Sequence, residues 1–509
     1  HPSVISHGTA TSRRRRRFAR CIPIPRSRFD RKGGCRARIV AACGLVVSPD
    51  ARICENARFP PAASCQPVSR TRRPPQSIEL ELDITDLSHD GRGVARHEGK
   101  AVFVTGALPG EKVRAKVQVS RRQFDEGSTV EVLESSPDRV APKCAHFGVC
   151  GGCALQHLAP AAQIAAKQHT LAENFERIGQ VRPERWLEPL SGEPWSYRRK
   201  ARLGVKFVPK KGKVLVGFRE AADPRFIADV SRCEVLVESV GRRISVIAEL
   251  MDSLDARAQI PQIEVAAGDD RTALVFRHLQ PLGEDDRARL LAFGEREGFA
   301  VFGQSGGNDS VIPLDGGATE LGFSLPAYGV DYAFRPLDFI QVNGAMNQRM
   351  IDHALALLDP GPHERVLDLF CGLGNFTLPL ARRCAQVVGV EGEAALVQRA
   401  HENARRNGID NADFHAADLT ADLRDQPWLR EGFDALLLDP PRTGADATIP
   451  QLPLAGIGRI VYVSCHPGSL ARDAGLLVRE HGYRLVAAGV MDMFPHTAHV
   501  ESIALFEKR

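Results

Sequence analysis

From Ser77 the chain alternates, with Ile78, Leu80, Leu82 and Ile84 separated by polar residues, the pattern of a strand with one face buried. The turn-forming stretches DGRG (90–93), HEGK (97–100) and ALPGE (107–111) break further short apolar runs, AVFVTG and KVRAKVQV, up to about residue 134. Several short strands in some sixty residues predict a small OB-like β-barrel over 77–136. The next two hundred residues hold ARLGVKFV, KVLVGFRE, QIEVAAG, TALVFRHL and FAVFG, a mixed α+β region over 137–335. From 336 the period becomes regular. RVLDLF, NFTLPLARRC, QVVGVEG, AALVQRAHENARRNG, DALLLDPP and RIVYVSCHP alternate strand-like with helix-like segments, which predicts a mostly parallel, doubly wound α/β sheet over 336–509.

At 509 residues the chain exceeds one ordinary core, in keeping with several domains. Its 43% hydrophobic and 25% charged content is that of a soluble globular protein, and no apolar run approaches the roughly 20 residues that span a bilayer. No membrane association is expected. The net charge of +5 hides an uneven distribution. Residues 1–76 hold 17 Lys+Arg against 3 Asp+Glu, a surplus of +14, so the remainder carries −9. Contact with a nucleic acid must then come from local basic patches. The first segment, with RRRRR at 13–17 and no sustained period, reads as a disordered, dispensable basic extension. A transit peptide, an RNA-binding arm and a non-native stretch, the chain starting at His1, are its alternative readings.

VLDLFCGLGNF (366–376) runs from a strand into a glycine turn that opens a helix. Gly372 and Gly374 let backbone approach a ligand, and Glu391, about 20 positions on, suits the hydroxyls of a ribose. Either a dinucleotide or S-adenosylmethionine fits, the former less well because Phe376 and Thr377 stand where a third glycine is expected. LLLDPPR (436–442) places Asp439 at another strand end, with Arg442 where an amine methyltransferase carries an aromatic residue. In VYVSCHP (461–467), Cys465 lies where a strand gives way to a loop, the edge at which open α/β sheets bind ligands. It is a candidate nucleophile or a buried small hydrophobe.

CAHFGVCGGC gathers Cys144, Cys150 and Cys153, and Cys233 in DVSRCEVL supplies a fourth thiol. Four thiolates suit a zinc ion or an iron–sulfur cluster, and spacing does not separate them. Cys371 belongs to the cofactor loop and Cys384 to a helix core. WSYRRKARLGV (195–205) interleaves Trp195 and Tyr197 with Arg198, Arg199, Lys200 and Arg202, as in an RNA-binding patch or a solvated sheet face.

Together, CAHFGVCGGCALQH, DFIQVN (338–343), LDLFCGLGNF, LLDPPR, VYVSCHP and MDMFPHTAHVES resemble the RNA uracil-C5 methyltransferase family, most closely its RlmD branch, over about 77–509. The resemblance implies a TRAM domain that binds RNA, a middle domain whose Cys144, Cys150, Cys153 and Cys233 hold a 4Fe-4S cluster, and a Rossmann-like class I methyltransferase domain. It implies Gln341, Phe370, Asn375, Glu391, Asp418 and Asp439 around S-adenosylmethionine, Cys465 as nucleophile and Glu501 as proton acceptor. Asp418 stands where relatives can carry asparagine. The substrate implied is a uridine of 23S ribosomal RNA, methylated in the cytoplasm with no obligate protein partner. A transfer RNA uridine, an exocyclic amine, and a non-catalytic RNA-binding iron–sulfur protein are the alternatives. The covalent route asks for a cysteine with a lowered pKa.

Overall fold

The computed structural model describes residues 77–118 and 123–509. The basic extension assigned to 1–76 lies outside the described residues.

The first six strands are β1 (Ser77–Asp83), β2 (Asp86–Leu87), β3 (Gly93–His97), β4 (Lys100–Thr105), β5 (Lys112–Gln118) and β6 (Phe124–Glu134). They form one sheet in the order β1-β5-β6-β4-β3-β2, antiparallel except for the β4–β6 pair. The predicted alternation is present: Val113, Ala115 and Val117 of β5 are buried with Leu82, Val102 and Val104, while Lys112, Arg114 and Lys116 face outward. The sheet thereby folds around a core of its own.

Next come α1 (Pro160–Asn174), β7 (Arg185–Trp186), β8 (Lys200–Val208), β9 (Lys213–Gly217), α2 (Glu238–Gly241), α3 (Ile244–Ser253), β10 (Gln262–Ala267), β11 (Thr272–Arg277), α4 (Glu284–Glu297), β12 (Phe299–Gln304) and β13 (Val311–Pro313). The middle sheet runs β13-β12-β11-β10-β8-β9 and packs on α3 and α4 through Ile247, Leu250, Leu290 and Phe293. A hairpin of β14 (Leu321–Leu325) and β15 (Val330–Phe334) leads onward.

The last region contains α5 (Gly344–Leu358), β16 (Arg365–Leu369), α6 (Thr377–Ala381), β17 (Gln386–Glu391), α7 (Ala394–Arg406), β18 (Ala412–Ala416), β19 (Ala435–Leu438), β20 (Arg459–Ser464), α8 (Pro467–Arg479), β21 (Tyr483–Met491) and β22 (Glu501–Lys508). Its eight-stranded sheet is ordered β18-β17-β16-β19-β20-β22-β21-β7. Strands β16 to β20 are parallel, and β22 inserts antiparallel between β20 and β21. Successive residues bury on opposite faces: Val366, Leu437 and Val461 in one core, Leu367, Leu436 and Ile460 in the other. The near-continuous apolar strands follow from this double coverage. The chain order reverses between β16 and β19, and a crevice opens there at the strands' carboxyl ends.

Two segments from before residue 336 join this sheet. β7 pairs with β21, and α1 packs on α8 and β21, sending Leu171 into the same core as Leu470 and Ala474. Neither is legible as part of an α/β repeat: β7 spans two residues, and α1 has no regular apolar stripe. No described helix is long and apolar enough to cross a membrane.

Candidate active site and cysteine cavity

The turn after β16 is a tight backbone cradle. Phe370, Gly372 and Gly374 take φ of 64°, 58° and 89°, three left-handed residues in five. A Cβ at Gly372 would meet open space, so the glycine serves its backbone angle; at Gly374 a Cβ would press on Leu378 at 3.2 Å. The Gly372 amide donates to Glu391 Oε2 at 3.1 Å, and Glu391 Oε1 accepts the Glu393 amide at 3.0 Å. Asn375 and Asn347 exchange two amide hydrogen bonds of 2.9 Å. Gln341, Phe370, Asn375 and Asp439 line one pocket with Cys371 and the exposed ring of Phe339. Arg199 holds the Gln341 carbonyl at 2.8 Å. Asp418 stands apart from that lining, exposed beyond β18, where its carboxylate accepts the Thr420 amide and hydroxyl at 2.9 and 2.7 Å. Burial pushes Asp439 up to about 7 and Asp368, beneath the turn, up to about 8. Cys371 is buried too, and its thiol is raised by the same desolvation and then by Asp368 and Glu391.

Cys465 occupies the connection between β20 and α8. His466 caps that helix by accepting the Ser469 amide at 3.1 Å, and Pro467 opens its first turn. Ser464 pairs with Ser502 as the last rung of the antiparallel β20–β22 ladder, so Cys465 and Glu501 flank that rung, and the Glu501 charge bears on the thiol. The cavity here holds about 610 Å³. Besides Cys465 and Arg442, its wall draws His89 from the first sheet, Gly151 and Gly152 from the cysteine segment, Arg198, and residues 497–500. Glu501 is 7% exposed and raised to about 8 by burial and by Asp439, against the opposing charges of Lys167 and Arg442. Cys465 is raised to about 11 by burial and then by Glu501 and Asp439, with Arg442 acting the other way. The direction is opposite to the one that the covalent route asks for. A half-buried sulfur beside two carboxylates keeps its proton until positive charge reaches it.

Cys144, Cys150, Cys153 and Cys233 are free thiols around a second cavity of about 230 Å³. Burial, then the neighbouring thiols, pushes Cys150 up to about 11 and Cys153 up to about 12. No three of these sulfurs come within 4.8 Å of one another; among the described residues that spacing is met by Asp86, His169 and Glu173, with Glu173 already paired to Arg177. Gly151, Gly152, Arg198 and His499 border both cavities and form their common wall.

The WSYRRK segment does not present a stacking surface. Trp195 stacks on His496 at 3.9 Å with Lys143 over its ring, and the buried Tyr197 hydroxyl donates to the Pro495 carbonyl at 3.0 Å. Arg199 and Lys200 turn inward onto the carbonyls of Gln341, Pro336 and Asp338, while Arg202 pairs with Glu264. Arg198 alone of the set reaches the cavities. Interleaved rings and cations look the same whether they stack on a base or on a protein histidine. Arg442, His499 and Lys167 are the site residues that sequence reasoning passed over as chemical groups. Arg442 and His499 lie inside quoted motifs, whereas Lys167 carries no local signal.

The family model described as tRNA (Uracil-5-)-methyltransferase matches residues 324–509, and the TRAM domain model matches 78–130. The chain is 60% identical over 445 residues to the 23S rRNA (uracil(1939)-C(5))-methyltransferase RlmD of Xanthomonas euvesicatoria pv. vesicatoria, covering 87% of this chain and 100% of that protein. The Stenotrophomonas maltophilia (strain K279a) protein of the same name matches with the same identity and coverage. Among solved structures, the Pyrococcus abyssi tRNA (uracil-54, C5)-methyltransferase in complex with S-adenosyl-L-homocysteine aligns with a TM-score of 0.65 and 24% identity, covering 84% of this chain and 99% of that one. That likeness shows the shared fold, a class I methyltransferase sheet. The chain belongs to the RlmD family of 23S rRNA (uracil-C5)-methyltransferases.

Proposed function

We propose that this protein transfers a methyl group from S-adenosylmethionine to C5 of a uridine in 23S ribosomal RNA, in the cytoplasm where that RNA is made. The observation that carries the residue assignment is the placing of Cys465 and Glu501 beside the last rung of the β20–β22 ladder, Ser464 with Ser502, with Cys465 on the cavity wall and Glu501 buried directly after Val500 of that wall. S-adenosylmethionine supplies an electrophilic methyl on a cationic sulfonium. Glu391 and the Gly372 turn suit its ribose, and Gln341, Phe370, Asn375 and Asp439 enclose the adjoining pocket. Asp418, exposed beyond β18, would accept from the adenine amine.

C5 of uracil is a weak nucleophile. The Cys465 thiol releases its proton to solvent, the thiolate adds to C6, and the C5=C6 electron pair moves into the O4 enolate. C5 then takes the methyl as its bond to sulfur breaks, leaving S-adenosylhomocysteine. Glu501 removes the C5 proton, the double bond re-forms, and the thiolate leaves. Burial, and after it Glu501 and Asp439, hold the thiol protonated; Arg442 acts the other way and so favours the attacking thiolate. The target base must leave its stack to reach both groups, and a 610 Å³ cavity bordered by the first sheet and the cysteine segment gives it room.

Cys144, Cys150, Cys153 and Cys233, four free thiols around one cavity of about 230 Å³, would hold the 4Fe-4S cluster that the family resemblance implies. The decisive experiment incubates the protein with methyl-labelled S-adenosylmethionine and unmodified 23S ribosomal RNA, then maps the label. Label at C5 of one uridine is expected. Label on transfer RNA alone, or on an exocyclic amine, would refute the assignment.

A further inference from the structure

The connection 492–500 between β21 and β22 carries Thr497, Ala498, His499 and Val500 along the wall of the Cys465 cavity and ends on Glu501. It has neither helix nor strand of its own, and His496 within it holds a left-handed φ of 66°. Its backbone is fastened from outside, mostly by one helix. Gln163 on α1 accepts the His496 amide at 2.8 Å, while its own amide donates to the Leu155 and Leu158 carbonyls at 3.0 and 2.8 Å. One turn later, Lys167 donates to Asp492 Oδ1 at 2.7 Å and to the Phe494 carbonyl at 3.0 Å. The Ala154 and Leu155 amides, directly after Cys153, both donate to the His496 carbonyl at 2.9 Å. The connection is thus held at residues 492, 494 and 496.

An ammonium only 3% exposed is a costly way to fill space, since burying a cation costs several kcal/mol and a hydrocarbon of similar volume fills such a site at less cost. Its hydrogen-bonding pattern fixes a backbone path that apolar contact would leave free to slide. Lys167 also faces Glu501 electrostatically. The other charged groups bearing on that carboxylate are Asp439 and Arg442 from the segment after β19, with Cys465 opposite.

We propose that Lys167 and Gln163 are positioning residues for the proton-removal step: by anchoring 492–496 they set where Glu501 meets the C5 proton of the methylated adduct, without taking part in the attack by Cys465. The inference rests on Glu501 being the proton acceptor. It makes α1 and the cysteine segment, both distant in sequence, part of the machinery that resolves the adduct.

The test uses the full-length, cluster-loaded protein in single turnovers with methyl-labelled S-adenosylmethionine and an unmodified 23S ribosomal RNA fragment. Lys167→Met and Gln163→Leu should form the denaturation-resistant protein–RNA adduct at near the wild-type rate and bind S-adenosylmethionine unchanged. They should resolve the adduct roughly 10- to 100-fold more slowly, the size expected for a misplaced reacting group. Lys167→Met should also move the midpoint of the resolution rate to higher pH, since one of two cations facing Glu501 is gone, whereas Gln163→Leu should leave it in place. Lys167→Arg should restore much of the rate. Resolution at the wild-type rate in the variants would overturn the proposal, as would adduct formation and cofactor affinity falling in step with resolution. Should Lys167→Met fail to fold, Gln163→Leu and Lys167→Arg decide by the same readouts. Glu501→Gln run alongside separates the two levels: if it accumulates no adduct, the proton-acceptor assignment fails; if it does and Gln163→Leu does not, the anchoring proposal fails.

Discussion

Glu501 should make the free enzyme less stable as pH rises, and Glu501→Gln should remove that dependence. The carboxyl is buried at the start of β22 with its pKa raised from 4.5 to about 8. A raised pKa means that the folded chain binds this proton more tightly than the unfolded chain. The resulting stability is fully present below about 4.5 and is lost as pH climbs through about 8. Within that window the slope for one group approaches about 1.4 kcal/mol per pH unit, so between pH 5.5 and 7.5 the wild-type chain should lose about 3 kcal/mol that the glutamine variant keeps. Glutamine has nearly the same volume and no proton to lose, so the difference isolates the titration from packing. Urea unfolding followed by circular dichroism, anaerobically and with both proteins at each pH, measures it. Stability profiles that run parallel across the two pH units would refute the reasoning, for they would mean that Glu501 is already ionised in the free enzyme.

Cys465→Ala should abolish both methyl transfer and the covalent RNA complex while leaving S-adenosylmethionine affinity within about twofold, read by calorimetry and by denaturing gels with labelled cofactor. Arg442→Met should slow adduct formation at neutral pH and move its pH midpoint upward, because the remaining charges near Cys465 are carboxylates; an unchanged profile would remove Arg442 from thiol activation. Cys233→Ser should yield a protein with fewer than the roughly four irons per chain and weaker visible absorbance than the wild type, whereas a colourless wild-type protein with one zinc would overturn the cluster assignment. A chain starting at Ser77 should retain turnover at moderate salt, losing only the nonspecific RNA attraction of the +14 segment.

What the sequence made legible, and what it did not, divides by the range of the interactions involved. The barrel's alternation and the catalytic strands are local patterns, repeated often enough that one reading satisfies them all. The glycine turn was readable because Gly372 and Gly374 need backbone angles that few other residues tolerate. Lys167 was not, since its burial depends on a partner more than three hundred residues away. Segment 195–202 misled for the opposite reason: its local composition imitates an RNA-binding surface, while contacts with 336–341 and 495–496 turn most of it inward. Asp418 was named through resemblance, and its exposed side chain serves a local turn with Thr420. The two residues of β7 were too short to carry any period, although they complete the sheet.

The cavity around Cys465 cannot be assembled from the catalytic sheet alone. Residues 324–509 contain Cys465, Glu501, Asp439 and the glycine turn, to which we assign the chemistry, yet the walls need His89 and Asp90 from the first sheet and Gly151, Gly152 and Arg198 from the middle region. Pulling a uridine out of its stack costs a few kcal/mol, which contacts beyond the reacting atoms must offset. The same outside segments hold the 492–500 connection through Gln163, Lys167 and the amides after Cys153. Cys465 needs only the end of β20 to be in place, whereas Glu501 needs the connection before it. Disturbing the cysteine segment should therefore alter both the seat of the flipped base and the position of Glu501, and the rate of adduct formation set against the adduct's lifetime separates the two effects.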